Sequence, residues 1–146
     1  MAQRFWGGDE MDLIEWKSGY STGNKDVDLQ HQYFANLINR INQEFMEQHD
    51  YAYQVRLLQE LHRYAVFHFF SEENIFLKLG FNDLESHERL HQSLLNELNS
   101  MIKNSVVQQN SPHRILQFLT DWFIEHTTQE DIQDFAVLNQ KTPPSI

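Results

Sequence analysis

The chain has no cysteine, which excludes disulfides, thiolate metal sites and cysteine nucleophiles together. It has three prolines and five glycines in 146 residues. That is little punctuation for a turn-rich β protein and suits long helices. Basic residues are scarce: 11 Lys and Arg stand against 21 Asp and Glu, a formal charge of −10. Nucleic acid and anionic membrane surfaces need basic patches, so neither is an expected partner. The first thirty residues include Asp9, Glu10 and Asp12 and contain no long apolar run. Neither a secretory leader nor a membrane span is expected, and the expected location is cytoplasmic. Internal repeats and low-complexity segments are also absent. What remains is one domain, 40% hydrophobic, long enough to bury a sizeable core.

Residues 1–27, and their continuation to about residue 30, read as a non-helical arm, because Gly7-Gly8, Gly19 and Gly23-Asn24 interrupt any helix. Phe5, Trp6, Leu13, Ile14, Trp16 and Tyr20 make the arm apolar enough to pack on the body. Apolar periodicity then predicts four helices over about residues 28–138. The first runs from about Asp28 to Gln48, with the seam His31, Phe34, Ile38, Ile41, Phe45. The second follows Asp50, a capping residue, with the seam Leu57, Leu61, Tyr64, His68, Glu72, Ile75, Leu79, and Gly80 ends it. The third starts near Asn82 or Asp83, with the seam Leu84, His87, His91, Leu94, Leu98, Met101, before a polar loop from Asn104 to Asn110. The fourth opens at Ser111-Pro112, with the seam Ile115, Leu119, Trp122, His126. Its inward positions then resume at Asp131, Phe135 and Leu138, and residues 139–146 form a tail closed by Pro143-Pro144. Short connections predict an all-α, up-down-up-down four-helix bundle.

The polar residues in these seams carry the chemistry. A lone histidine on an apolar face is ordinarily a hydrogen-bonded core residue. Here five histidines, 31, 68, 87, 91 and 126, lie in the seams of four helices, while His49, His62 and His113 read as surface residues. His68 and Glu72 are four residues apart, as are His87 and His91, so each pair shares a helix face. A buried, unpaired Glu72 would cost several kcal/mol unless protonated, paired or metal-bound. A polar core network would have to satisfy five imidazoles and two acids with few other partners. Nitrogen and carboxylate donors without sulfur suit iron, manganese, zinc or copper. Seven ligands exceed one tetrahedral zinc. Two six-coordinate ions are filled to all but one position by five imidazoles, two bridging carboxylates and one shared oxygen.

These elements resemble the hemerythrin family, within it the single-domain bacterial type. The resemblance is carried by Val27-Asp28-Leu29-Gln30-His31, by His68 to Glu72, by His87 to His91, and by Trp122 to His126 followed by Asp131. It covers roughly residues 13–138. It implies a bundle holding two iron ions, bridged by an oxo or hydroxo group, with reversible dioxygen binding. It further implies that His87, His91 and His126 bind one iron, that His31 and His68 bind the other, which keeps the open position, and that Glu72 and Asp131 bridge them. Trp122 and Phe34 become candidates for an apolar wall around dioxygen. Phe34 and Phe123 are larger than the aliphatic side chains common at those places in the family, which narrows the expected pocket. Other readings are a sensing module acting through a partner protein and a di-iron redox enzyme acting on peroxide or nitric oxide. Glu73, Glu88 and Glu125 fall off the seams, which leaves no acid expected to act on a bound ligand.

One geometric expectation follows. The step from His126 to Asp131 is five residues, which on a regular helix turns the side chains about 140° apart. For both to reach one metal pair, the helix is expected to widen locally, as in a π-bulge that absorbs one residue. The competing expectation is a regular helix whose Asp131 reaches sideways from the next turn.

Overall fold

The computed structural model describes residues 14–47, 50–108 and 112–141. Helix α1 spans Lys25–Glu47, α2 Tyr51–Leu79, α3 Leu84–Gln108 and α4 Pro112–Glu125. A π-helical turn, His126–Asp131, leads into α5, Ile132–Lys141. Glu125 and Ile132, on either side of the turn, have ordinary right-handed helical torsions, so the three pieces form one rod. α1 packs on α2, α2 on α3, α3 on α4, and α4 returns to α1. Sequence neighbours that are also spatial neighbours, with first and last closing the ring, make a four-helix bundle.

The seams fold inward largely as their periodicity requires. Phe34, Ile38, Ile41 and Phe45 of α1 are buried, as are Leu57 and Leu61 of α2, Leu94 and Leu98 of α3, and Ile115, Leu119 and Trp122 of α4. On α2 the buried face is broader than the predicted seam. Ala65, Phe69 and Phe76 are buried, Tyr64 and Ile75 are half-buried, and Leu79 is 41% exposed. Leu79 is the last residue of the helix.

The apolar core comes in two parts. The larger includes Phe34, Phe69, Leu98, Leu119 and Phe123. The smaller consists of Val27, Phe76, Phe81, Phe135 and Leu138. On three of the rods polar seam residues lie in sequence between these two groups: His31 between Val27 and Phe34, Glu72 between Phe69 and Phe76, His126 and Asp131 between Phe123 and Phe135. On α3, His87 and His91 lie between the half-buried Leu84 and the buried Leu94. The fold thus sandwiches a polar layer between two dry ones.

Several boundaries differ from the sequence expectation. α1 begins at Lys25, so the end of the arm is helical. Asn24 starts it, accepting from the Val27 amide at 3.1 Å. Asp28 reaches back from the first turn to the Thr22 amide and hydroxyl, both at 2.8 Å, in the manner of a capping box. Asp28 therefore sits inside the helix it was expected to open. α3 runs through Asn104 to Gln108, where a loop was expected. Once a helix is nucleated, polar residues extend it cheaply. α5 likewise continues to Lys141, past the expected tail boundary. Phe5, Trp6, Leu13, His49 and Pro143-Pro144 lie outside the described residues.

The described part of the arm does pack on the body. The Ile14 amide donates to Asn39 Oδ1 at 2.7 Å, and Asn39 Nδ2 returns the bond to the Ile14 carbonyl at 2.8 Å. A 3-10 turn, Ser18–Tyr20, lies against the π turn. Among the described residues no helix is long and apolar enough to cross a membrane.

The ends of α2 match their sequence signals. Asp50 accepts from the amides of Ala52 and Tyr53 at 3.1 and 3.3 Å. Gly80 adopts φ +76°, and its N–H bonds back into the last turn. An added Cβ at Gly80 meets nothing within 4 Å, so the penalty for a side chain is torsional alone. Gly80→Ala should therefore destabilise the fold by about 1–2 kcal/mol. Urea unfolding should show a lower midpoint with an unchanged m-value.

Candidate metal centre

α1 contributes His31, α2 contributes His68 and Glu72, α3 contributes His87 and His91, and the π turn contributes His126 and Asp131. All seven are buried, with Glu72 and Asp131 at 0% exposure. The i,i+4 pairs lie on the inner faces of α2 and α3, as their spacing requires. His126 and Asp131 meet through the π turn, where His126 Nε2 stands 3.0 Å from Asp131 Oδ2. The five-residue step is absorbed as expected, and an unbroken α-helix is excluded. Thr128 donates to the Ile124 carbonyl at 2.6 Å at the start of this turn, a local bond that favours a distorted ladder.

The donors fall into two groups with shared members. Glu72, His87, His91, His126 and Asp131 each offer one atom within 4.8 Å of all the others. His31, His68, Glu72 and Asp131 do the same. Three histidines lie in one group, two in the other, and both carboxylates in each.

The cluster's own hydrogen bonding is incomplete. His87 and His91 place Nε2 2.9 Å from Glu72 Oε1. His31 Nε2, His68 Nε2, His126 Nε2, Glu72 Oε2 and both Asp131 oxygens are buried with no hydrogen bond. Some of these atoms are close, such as His31 Nε2 at 2.9 Å from Asp131 Oδ2. They attract by charge, but they point toward a shared interior and not along each other's bonding directions. Buried polar atoms left this way cost about 1–3 kcal/mol each, which a cation among them would offset. The donor set therefore fits a metal.

Without a cation, protons balance the charge. Burial pushes His31 down, but the Asp131 and Glu72 carboxylates outweigh it and raise the ring to about 9. His87 is raised to about 11 against the same burial by the same two carboxylates. Burial works against the charge on Glu72 too, yet the bonds from the surrounding histidines hold it well below the usual carboxylate range. His68 is pushed down to about 3, mainly by burial, and is neutral.

The rings are anchored from behind by residues outside the seams. His87 Nδ1 bonds Asp134 Oδ2 at 2.5 Å. His91 Nδ1 bonds Glu73 Oε2 at 2.7 Å, so Glu73 engages the site although it lies off the seam. Glu88 and Glu125 are exposed. His68 Nδ1 bonds Gln30 Oε1 at 2.7 Å. A metal-binding histidine usually has an acceptor on its second nitrogen; His68, His87 and His91 have one here, whereas Nδ1 of His31 and of His126 has none.

Aromatic rings close the space around the cluster. Phe34 lies 5.6 Å from His68, and Phe123 lies 6.1 Å from His31. Phe69, unremarked in the sequence, stacks on His91 at 4.1 Å. Trp122 stands one layer further out, 5.6 Å from Phe34, and its N–H donates to the Leu94 carbonyl at 3.1 Å. His62 is half-buried, not a free surface residue.

Residues 22–138 match the family profile described as the hemerythrin HHE cation binding domain. The chain belongs to the hemerythrin family. It is similar to the bacteriohemerythrin of Clostridium acetobutylicum, 26% identical over 126 residues, which cover 82% of this chain and 96% of the relative. A hemerythrin-like protein of Naegleria gruberi is 25% identical over 125 residues, covering 86% of this chain and 93% of the relative. The fold matches a crystal structure of wild-type hemerythrin with a TM-score of 0.76 at 22% identity, covering 87% of this chain and 98% of that one. The polar layer described above is thus a buried metal-type cluster in a hemerythrin bundle.

Metal binding at this cluster must displace protons, because His31 and His87 are raised above neutral pH. The apparent affinity for a divalent metal should fall as pH is lowered from about 8 to 6, roughly tenfold per unit for each proton displaced. Calorimetric titrations of the metal-free protein in that range check this. Affinity independent of pH would contradict it.

Proposed function

We propose that the chain binds dioxygen reversibly at a non-haem di-iron centre with an oxo or hydroxo bridge, as an oxygen carrier, store or delivery protein. The observation that supports this best is the pair of donor groups that share Glu72 and Asp131. In this reading His87, His91 and His126 hold one iron, His31 and His68 hold the other, and the two carboxylates bridge. A bound iron pair would supply two electrons and one free coordination position to dioxygen. Three histidines against two leave that position on the side of His31 and His68.

The chain's own part is exclusion and placement. Phe34 and Phe123 line that side, 5.2 Å apart, and Trp122 backs Phe34. Apolar rings keep out water, which preserves reversibility. Efficient O–O cleavage needs a general acid within reach. Among the described residues the carboxylates nearest the cluster are already engaged: Glu72 and Asp131 within it, Glu73 and Asp134 behind His91 and His87. This supports a carrier over an enzyme. A sensing role, with a partner reading the arm, is the second reading. Trp16 favours it, since its ring lies 6.3 Å from His31.

Metal analysis of the iron-reconstituted protein should give two irons per chain, and Glu72→Ala should lose at least one. The visible spectrum should return through repeated cycles of dioxygen and vacuum. Trp122→Ser should shorten the lifetime of the oxygenated form while iron content is kept. Irreversible oxidation on first exposure, with catalytic consumption of peroxide or nitric oxide, would favour the enzyme.

A further inference from the structure

Three cluster histidines have side-chain acceptors behind them, and the acceptors differ in charge. His87 has Asp134 at 2.5 Å and His91 has Glu73 at 2.7 Å. Both acceptors are carboxylates, and both rings belong to the three-histidine group. His68, of the two-histidine group, has the neutral amide of Gln30 at 2.7 Å.

Gln30 is itself held firmly. Its Nε2 donates to Ser71 Oγ at 2.9 Å, and its backbone carbonyl accepts the Tyr64 hydroxyl at 2.8 Å. Tyr64 and Ser71 lie on α2 about one turn to either side of His68. α2 thus grips the residue of α1 that orients its own histidine. The Gln30 oxygen faces the ring, an arrangement that the Nδ1–H tautomer satisfies and that leaves the Nε2 lone pair facing the cluster. The opposite amide orientation would put the proton on Nε2, aimed among the other donors and unable to bind a cation. A carboxylate behind an imidazole gives the ring imidazolate character and makes it a stronger donor; an amide does so much less.

We infer that Gln30 is the positioning residue that sets the strength of the two-histidine subsite: it fixes His68 as the Nδ1–H tautomer and, being neutral, leaves that subsite the weaker donor. The statement about strength rests on the di-iron reading, whereas the tautomer does not.

Nitrogen-15 NMR of the metal-free protein should find His68 protonated on Nδ1, and Gln30→Leu should abolish that preference. In iron-reconstituted protein, Gln30→Leu should weaken retention of one iron against a chelator by about 10–100-fold and leave the second as in wild type. Gln30→Glu, which keeps an acceptor of the same size, should restore retention and lower the reduction potential. Glu73→Gln and Asp134→Asn should raise the potential. Equal retention of both irons in Gln30→Leu, an unchanged potential in Gln30→Glu, or an Nε2–H tautomer in the wild type would each overturn the inference. Failure of the di-iron reading would show itself separately, as a wild type that does not take up two irons.

Discussion

Five imidazoles and two carboxylates buried together cannot all satisfy one another. Each carboxylate oxygen accepts, each neutral imidazole offers one donor, and their directions here converge on common points instead of on partners. The rest of the structure supports that arrangement. The bundle places one or two donors on each rod, and the two apolar clusters seal the layer from either end. Desolvation makes every unmet donor expensive. The same desolvation makes a bound cation, with its charge matched by Glu72 and Asp131, strongly held.

The π turn shows how tightly backbone and site are coupled. A regular helix through residues 126–131 would turn Asp131 well away from His126 and would also misplace Phe135 and Leu138. Widening one turn returns all three to the interior. A π-bulge costs backbone hydrogen-bond quality, so its place here is best understood through what it brings together. The 3-10 turn of the arm packs directly against it.

Much of this was legible in the sequence because the donors obey the same periodicity as the core. His68 and Glu72, or His87 and His91, stand out only because apolar neighbours define the face they share. The five-residue step was legible for the same reason, since Phe135 and Leu138 report the shifted phase. The boundaries were less so. Asp28 looks like a helix start but acts from inside the first turn, and Asn104 to Gln108 looks like a loop but continues α3. The outer anchors were hidden for a geometric reason. Gln30, Glu73 and Asp134 approach the rings from behind, off the seam, and periodicity marks only what points inward. Phe69 escaped because the buried face of α2 is wider than a single stripe, touching both α1 and α3.

We propose that one layer of the bundle holds two metal ions that share Glu72 and Asp131. Anomalous diffraction at the iron edge, from crystals of the iron-loaded protein, tests it most directly. The account predicts two peaks per chain, one among His87, His91 and His126, the other beside His31 and His68, with both carboxylates between them. A single peak, or two peaks elsewhere with the seven side chains bonded only to one another, would contradict it.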